Sequence, residues 1–512
     1  MGKHTGFASK LALINQEITI RRIIRHLLLA VAYGLLGTVM VLVGGYVWML
    51  EQRPDLKPWQ EAVLDAEFRA DSAGHYQSLD DYLAMEERLF RQLQEQVYDR
   101  VEPVDQTVFN RYSAGSVLNP QRFPGNWNHT FQLPADNPVG GVVALHGLSD
   151  SPYSMRALSE HFAGNKLRVT GLRLPGHGTA PSGLLNVSWQ DQAAAVRLAV
   201  RDMRRKLGPD LPIYLAGYSN GAALAVEYVL AVLEGEDLPA IDGLVLLSPA
   251  IGVSPVAALA IWQARLSNVA GLKKLAWNDL LLEIDPYKYN SFTVNAGDQI
   301  YRLTGNIANR IQALNGEAGI NGFPPTIAFQ SVVDATIPAE TLIDILFMKL
   351  GTGGHELVLF DVNRNAESEA LLRQDPEVLT TRLFGEGPLP FGLSLLTNAG
   401  NDTNNIVVRR KRAGEAVIIE QPTELAWPKG LFSLSHVALP FPPDDPLYGG
   451  IFDDDDDRIT LGSVSIRGER NLLQIPDNYF LRLRYNPFFS WLAARSLDFI
   501  GSDRGHYGSQ KQ

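Results

Sequence analysis

Short apolar runs alternate with amphipathic helical patterns from Val139 onward, and this alternation restricts the fold more than any other feature of the chain. Near-continuous runs of valine, leucine and isoleucine are typical of strands buried on both faces, as in a parallel sheet. The helical patterns between the runs supply the crossover connections that parallel strands need. We therefore predict an α/β fold, with a mostly parallel sheet flanked by helices. Six runs have this character: VGGVVALHG, LRVTGLRLPG, PIYLAGYSNG, IDGLVLLSPA, TIAFQSVVD and ELVLFDVN.

Two long stretches interrupt the alternation. Residues 251–322 follow the fourth run and lack its pattern, so we predict a helical cap insertion over the C-terminal edge of the sheet. Residues 363–430 follow the sixth run and form a predicted second insertion, which contains a hairpin-like stretch, NNIVVRRKRAGEAVIIEQP. We expect one main domain over 108–512 that includes both insertions.

A run of 24 uncharged residues lies near the N-terminus, from Leu27 to Leu50. A helix that crosses a bilayer needs about 20 such residues. The preceding segment is basic, which places it in the cytoplasm under the positive-inside rule. We predict a cytoplasmic segment at 1–26 and a transmembrane anchor at 27–50, in a single pass through the inner membrane with the main domain outside the cytoplasm. A cleaved signal peptide is the alternative, but its apolar core would be shorter, about 7–15 residues.

Residues 51–107 join the anchor to the main domain. The first part, 51–77, is mixed in composition and contains proline, so we predict a linker. The stretch from Ser78 to Val101 has apolar residues at helical spacing, and Ser78 or Asp80 can cap it. An amphipathic helix that packs on the main domain is the expected structure.

The charge and cysteine content exclude several classes of function. The net charge is −11 and no basic stripe offsets it, so a nucleic-acid partner is not expected. The chain has no cysteine, which excludes disulfides, thiolate metal sites and a cysteine nucleophile. An acidic run, Asp453 to Asp457, offers carboxylates to Ca²⁺ but lacks the spacing and glycine of an EF-hand loop. We interpret it as a solvated loop and expect no metal site.

The sequence LAGYSNGAAL contains the pattern G-x-S-x-G, with Ser219 at its centre. The apolar run PIYLA precedes it and a helical pattern, AALAVEYVLAVL, follows it. A strand, a tight turn with small residues and a helix form a nucleophile elbow, which exposes the serine hydroxyl. Gly217 and Gly221 supply the small residues, so we predict that Ser219 is a nucleophile.

A serine nucleophile needs a base to take its proton and a carboxylate to orient that base. In elbow-containing folds these partners follow in the order serine, acid, histidine. His436 lies in a loop after the last strand and is the expected base, whereas His355 starts a strand and His506 lies in a polar tail. Asp334, at the end of the run TIAFQSVVD, is the expected acid. Asp361 is the alternative acid, one strand further along.

Acyl transfer also needs hydrogen-bond donors for the developing oxyanion. The backbone N–H of Asn220, directly after the nucleophile, is one candidate. Leu148 supplies the other, because it follows His146 and Gly147 in the loop after the first apolar run. His146 and His177 precede the serine, and we interpret them as residues that shape their loops.

The motifs LHGLSDSP, RLPGHGTAPSG, GYSNG, SVVDATIP and SLSHVALPF together resemble those of α/β-hydrolases in the group of monoacylglycerol lipases, lysophospholipases and serine-aminopeptidase-like enzymes. More narrowly, the chain is similar to membrane-anchored bacterial members. The resemblance covers about 108–500. It implies Ser219 as nucleophile, Asp334 as acid, His436 as base, and Leu148 and Asn220 around the oxyanion. The chain departs from compact members in the long stretch between acid and base, which keeps His355 as an alternative base.

The resemblance implies a membrane-anchored serine hydrolase that needs no metal or organic cofactor. The expected substrate is a carboxylic ester, lipid-like, of the lysophospholipid or monoacylglycerol type, cleaved through an acyl-enzyme. An aminopeptidase or amidase that uses the same triad is the first alternative. A non-catalytic binding protein of the cell envelope with a hydrolase fold is the second.

Overall fold

The computed structural model divides the chain into two compact units, Met1–Leu56 and Lys57–Gln512. It describes residues 5–252, 273–317, 319–351, 353–366, 375–385, 387–450, 461, 467–468, 481–482 and 484–507. Three predicted features therefore lie wholly or partly outside the described residues. They are the acidic run at 453–457, the side chain of His506 and the part of the cap at 253–272.

The first unit contains one long helix, α1 (Thr5–Glu51). Its segment Arg21–Tyr46 has a mean hydropathy of 2.3 and none of it is buried. A helix of 26 residues with this composition is long enough to cross a bilayer. The segment overlaps the predicted anchor at 27–50, and its composition is compatible with an anchor or a signal sequence.

The second unit is built on a ten-stranded sheet, and the six predicted runs form its centre. These six strands pair in parallel in the order β3-β2-β4-β5-β8-β9, as predicted for an α/β-hydrolase fold. The strands of the sheet are β1 (Phe131–Leu133), β2 (Gly140–Leu145), β3 (Leu167–Leu172), β4 (Ile213–Tyr218), β5 (Gly243–Leu247), β8 (Thr326–Ser331), β9 (Glu356–Phe360), β10 (Gly392–Asn398), β11 (Asn405–Lys411) and β12 (Ile418–Ala426). Short strands outside it are β6 (Trp277–Asp279), β7 (Phe292–Thr293), β13 (Arg467–Gly468) and β14 (Leu481–Arg482).

Helices cover both faces of this sheet. Alternate residues of one strand enter different cores: Val143 and Leu145 of β2 belong to one apolar cluster, and Val142 and Ala144 to the other. This alternation follows from the two-residue period of a strand and buries both faces. The helices are α2 (Pro58–Glu61), α3 (Leu79–Gln96), α4 (Arg156–Gly164), α5 (Trp189–Leu207), α6 (Asn220–Leu233), α7 (Val294–Leu314), α8 (Ala339–Ile345), α9 (Glu377–Gly385) and α10 (Phe489–Tyr507).

The stretch at 51–77, which is predicted as a linker, contains buried residues. Trp59 and Phe68 are fully buried and pack with the residues of α3. Burying two large aromatic side chains contributes several kcal/mol of hydrophobic stabilisation, which a linker would not provide. The compact unit therefore begins at Lys57, and α3 occupies the predicted helical stretch.

The described residues of the predicted second insertion at 363–430 contain three strands of the main sheet, β10, β11 and β12. β10 pairs in parallel with β9, and β11 pairs antiparallel with both β10 and β12. The hairpin-like stretch thus forms the predicted hairpin, but as an extension of the sheet. Within the predicted cap, the described residues contain α7 and the short pair β6–β7.

Candidate functional site: a Ser–His–Asp cluster at the edge of the sheet

Ser219 lies at the sharp turn between β4 and α6. Its backbone has φ +51° and ψ −112°, a strained conformation for a residue with a side chain. The Ser219 N–H donates to Leu247 O at 2.9 Å, and Ala250 N–H donates to Ser219 O at 3.1 Å. These bonds hold the turn against the end of β5, as a nucleophile elbow requires.

Gly217 and Gly221 make the turn possible because the backbone packs too closely for a larger residue. A Cβ at Gly217 would lie 2.5 Å from the backbone nitrogen of Ala222. A Cβ at Gly221 would lie 2.2 Å from the carbonyl oxygen of Leu145 in β2. The two glycines flanking Ser219 in the sequence pattern therefore have a steric role.

The structure brings Ser219, His436 and Asp334 together. His436 Nε2 lies 3.1 Å from Ser219 Oγ, and His436 Nδ1 lies 2.8 Å from Asp334 Oδ2. With the proton on Nδ1, His436 donates to Asp334 and accepts from the serine hydroxyl. His436 and Asp334 are buried while Ser219 is partly exposed, so the hydroxyl remains accessible.

The carboxylate of Asp334 is held by the loop that follows β8. Its Oδ1 accepts from the N–H groups of Thr336 at 2.9 Å and Ile337 at 2.8 Å. Its Oδ2 also accepts from Gln330 Nε2 at 2.9 Å. These bonds leave Asp334 little rotational freedom, and they fix the direction from which it contacts His436.

The alternative base and acid lie elsewhere. His355 precedes β9 and is buried, and this burial lowers its pKa to about 4. The Asp361 carboxylate bonds to other side chains. It forms an ion pair with Arg364 at 3.0 Å and accepts a hydrogen bond from Thr397 Oγ1 at 2.7 Å. Both ring nitrogens of His436 instead lie within hydrogen-bond distance of Ser219 and Asp334.

The two expected oxyanion donors lie on neighbouring parts of the sheet edge. Asn220 is the first residue of α6, where backbone N–H groups lack acceptors within the helix. Its side chain donates to Gln192 Oε1 at 3.0 Å. Leu148 follows Gly147, at which a Cβ would lie 2.7 Å from Asp150 Oδ2. Close packing at Gly147 thus fixes the loop that carries the Leu148 N–H.

His146 and His177 join this loop to the segment Pro175–Gly178, which we call the PGHG loop. His146 Nδ1–H donates to Gly147 O at 2.8 Å, and its Nε2 accepts from Leu174 N–H at 3.0 Å. Burial lowers the pKa of His146 well below its usual range, and it lowers the pKa of His177 to about 4. Both rings are therefore neutral at pH 7 and have a structural role in shaping their loops.

A buried ionic cluster that was not predicted from the sequence supports the PGHG loop. Arg173 is fully buried and pairs with Glu67 at 2.8 Å and with Glu86 at 2.9 Å. Arg173 also donates to His177 O at 3.0 Å, and Gly176 N–H donates to Glu67 at 2.9 Å. The apolar residues Trp59, Leu64 and Phe68 near Glu67 were the sequence signal that could have predicted this stretch to pack on the domain.

The pKa values of the two carboxylates in this cluster are shifted in opposite directions, although both carboxylates pair with Arg173. Burial favours the neutral form of Glu67, but the ion pair with Arg173 and the backbone N–H bonds outweigh it, and its pKa is lowered. Burial dominates at Glu86, whose pKa is raised. Glu67 is therefore the stronger charge partner of Arg173.

An apolar cluster adjoins the Leu148 loop. Leu148 and Phe292 pack against four buried side chains from the PGHG loop region and the cap: Leu184, Val187, Tyr289 and Ala296. Among the residues that the structure describes, no group of three or more His, Asp or Glu side chains is arranged to hold a metal ion.

The comparison with known families covers the first half of this site. The model of the serine aminopeptidase family S33 matches residues 136–315. The matched segment contains Leu148, Ser219 and Asn220 and ends before Asp334 and His436. The match confirms the resemblance to α/β-hydrolases that the motifs predicted.

Two curated proteins are similar to part of the chain. Phospholipase YtpA of Bacillus subtilis (strain 168) is 32% identical over 120 residues, which are 23% of this chain and 44% of that protein. The thermostable monoacylglycerol lipase of Bacillus sp. (strain H-257) is 29% identical over 124 residues, 24% of this chain and 46% of that protein. The chain thus spans a little under half the length of each relative. The solved monoacylglycerol lipase of Paleococcus ferrophilus is 21% identical, covering 46% of this chain and 88% of that one, with a TM-score of 0.34.

Proposed function

We propose that this protein is a membrane-anchored serine hydrolase that cleaves lipid-like carboxylic esters. The observation that carries the proposal is the hydrogen-bonded series from Ser219 Oγ through His436 to Asp334, at 3.1 and 2.8 Å. A serine on a strained turn, a base within reach and a fixed carboxylate are what nucleophilic acyl transfer needs.

The proposed reaction has two steps. His436 takes the proton of Ser219 as the serine attacks the ester carbonyl, and the N–H groups of Leu148 and Asn220 stabilise the oxyanion. Asp334 stabilises the imidazolium that forms. His436 then gives its proton to the leaving alcohol, and an acyl-enzyme remains. Water, deprotonated by His436, cleaves the acyl-enzyme and regenerates the serine.

Three observations support a lipid-like ester as the substrate. The curated relatives are named as a phospholipase and a monoacylglycerol lipase, so an ester of the lysophospholipid or monoacylglycerol type is the proposed class. Leu148 and Phe292 are partly exposed at the edge of the apolar cluster, where an acyl chain would contact them. The apolar helix Arg21–Tyr46 would keep the enzyme at a membrane, where such lipids reside.

The proposed location is the inner membrane, crossed once by the segment around 27–50. The basic residues Lys3, Lys10, Arg21, Arg22 and Arg25 precede that segment, which favours a cytoplasmic N-terminus. The hydrolase domain would then lie outside the cytoplasm. Two C-terminal fusions test this orientation, one to a reporter enzyme that is active only in the periplasm and one to a reporter enzyme that is active only in the cytoplasm. Activity of the periplasmic reporter is the expected result, and activity of the cytoplasmic reporter alone would overturn the orientation.

Ester turnover by the full chain in detergent tests the proposed activity. Monoacylglycerols, lysophospholipids and short soluble esters would be compared for the wild type and for Ser219→Ala, His436→Ala and His355→Ala. Loss of turnover in the first two variants, with turnover kept in His355→Ala, is the expected result. Turnover that persists in Ser219→Ala would overturn the mechanism, and a folded wild type without turnover would favour a binding protein.

A second candidate, an aminopeptidase that uses the same triad, is favoured by the description of the matching family. Residues 136–315 match a model described as serine aminopeptidase. An amide with a free α-amine would then be the preferred substrate. Faster Ser219-dependent cleavage of aminoacyl anilides than of any ester tested would replace the lipid-ester proposal with this one.

A further inference from the structure

A group of large apolar side chains is exposed at one place on the second unit. They come from two segments that are distant in the sequence, around 104–109 and 281–284. Val104 is 74% exposed, Phe109 51% and Leu281 54%, which is unusual for side chains of this size in a cluster. We call this group the apolar surface: Val104, Val108, Phe109, Leu281, Leu282 and Ile284.

A buried arginine joins the two segments. The Arg111 N–H donates to Glu283 O at 2.9 Å, and its guanidinium donates to Asp285 O at 3.0 Å. Arg111 is 1% exposed, so these bonds are shielded from water. The chain just before Arg111 and the chain around Glu283 are therefore held side by side, and their apolar side chains belong to one region.

The second segment has the reverse of the usual burial pattern. Glu283 is fully buried, and its carboxylate accepts from the N–H groups of Asn290 at 3.0 Å and Ser291 at 2.8 Å. Its neighbours Leu282 and Ile284 are exposed. A surface that faces water is stabilised by the opposite arrangement, with leucine inside and the carboxylate outside. The segment therefore buries its carboxylate and presents apolar side chains on its outer side.

The chain enters the second unit next to this surface. Lys57, the first residue of the unit, pairs with Asp105 at 2.7 Å, and Asp105 lies between Val104 and Val108 in the sequence. Helix α1 ends at Glu51, so residues 52–56 form the whole connection. Fully extended, this connection spans about 20 Å. The covalent connection between α1 and Lys57 is therefore short.

We propose that the apolar surface inserts into the interface of the lipid bilayer to which α1 anchors the protein. The inference rests on the proposed membrane anchor and extends the proposed function. Transfer of these side chains into the interface removes them from water, and a connection of five residues keeps the surface at the membrane. The bilayer would thus be both the docking partner and the source of substrate.

The apolar surface is also linked to the catalytic edge through one short cap segment. After Ile284, the same segment reaches Tyr289, whose N–H donates to Ser149 O at 2.8 Å, and Lys288 pairs with Asp150 at 2.9 Å. Ser149 and Asp150 directly follow Leu148 in the oxyanion loop. The segment that carries Leu281, Leu282 and Ile284 therefore continues to the loop that carries the Leu148 N–H.

Because the chain has no cysteine, single labels can test the proposal directly. Phe109→Cys and Leu282→Cys would each carry an environment-sensitive fluorophore on the full chain. The protein would be reconstituted in phosphatidylcholine–phosphatidylglycerol vesicles with or without nitroxide-labelled lipid. Met348→Cys and Val378→Cys, at exposed apolar positions outside the surface, are the matched controls.

Nitroxide lipid is expected to quench the labels at 109 and 282 at least about twofold more than the control labels, because quenching requires contact with the acyl region. Equal quenching at all four positions would overturn the proposal. The result does not depend on catalysis. If the wild type shows no Ser219-dependent turnover, the proposed function fails while the quenching still decides whether this surface contacts lipid.

Turnover gives a second test. The double variant Leu281→Ser/Leu282→Ser is expected to lose about tenfold in activity on monoacylglycerol in vesicles, because its docking is weakened. Activity on a short soluble ester should be unchanged, which would show that the variant is folded. Equal activity on vesicle substrate in the wild type and the double variant would contradict the docking role.

Discussion

Asp334 Oδ2 lies 2.8 Å from His436 Nδ1, although 102 positions separate the two residues. The intervening chain contains β9 to β12, which extend the sheet away from the site. The described part of the interval thus contains four strands of the sheet, and the contact between Asp334 and His436 is present. The two residues can therefore act as a pair, as in compact hydrolases.

Asp334→Asn tests this relationship. The amide would favour the wrong imidazole tautomer, so we expect kcat on a soluble ester to fall by about 10³–10⁴, with the fold retained. Asp361→Asn is the control, because Asp361 pairs with Arg364 instead of His436. Steady-state kinetics of both variants decide the assignment, and a larger loss of kcat in Asp361→Asn would contradict it.

Gly221→Ala tests the steric basis of the elbow. The added methyl group would lie 2.2 Å from Leu145 O, so we expect a loss of more than about 2 kcal/mol in stability together with loss of activity. Gly305→Ala is the matched control, since its Cβ has no neighbour within 4 Å in helix α7. That substitution should stabilise the protein by about 0.5–1 kcal/mol. Denaturant unfolding measures both, and an unaffected Gly221→Ala variant would contradict the packing.

Arg173→Met tests the buried cluster beneath the PGHG loop. The substitution leaves Glu67 and Glu86 buried without their cation, which is expected to cost about 3–5 kcal/mol. Arg409→Met removes an ion pair with Glu420 whose side chains are half exposed, and it should cost less than about 1 kcal/mol. Equal unfolding free energies for the two variants would show that the cluster contributes little.

The fold and the site could be predicted from the sequence to different extents. The six central strands and Ser219 follow from local patterns, because apolar runs and the G-x-S-x-G turn depend on neighbouring residues. The contact of Glu67 with Arg173 could not be predicted, since it joins residues 106 positions apart and both are charged. The strand β10 was missed because its run, GLSLLTN, lies in a stretch without regular helix–strand alternation.

His355 predicts a specific dependence of stability on pH. Burial lowers its pKa to about 4 in the folded state, below the ordinary value of 6.5. The unfolded chain therefore binds a proton at this histidine before the folded protein does as the pH falls. The contribution of His355 to the free energy of unfolding, present above pH 6.5, is therefore lost between pH 6.5 and pH 4. The full shift corresponds to about 3 kcal/mol. In detergent, the unfolding free energy of His355→Gln should fall less than that of the wild type across this range, and parallel curves would contradict the prediction.

The central claim is that Ser219 is an activated nucleophile, and covalent labelling with a fluorophosphonate tests it most directly. The wild-type full chain should gain one phosphonate group, located by mass spectrometry on Ser219. The label should be absent from Ser219→Ala and His436→Ala and present in His355→Ala. A folded wild type that gains no label, or gains it on another residue, would contradict the claim.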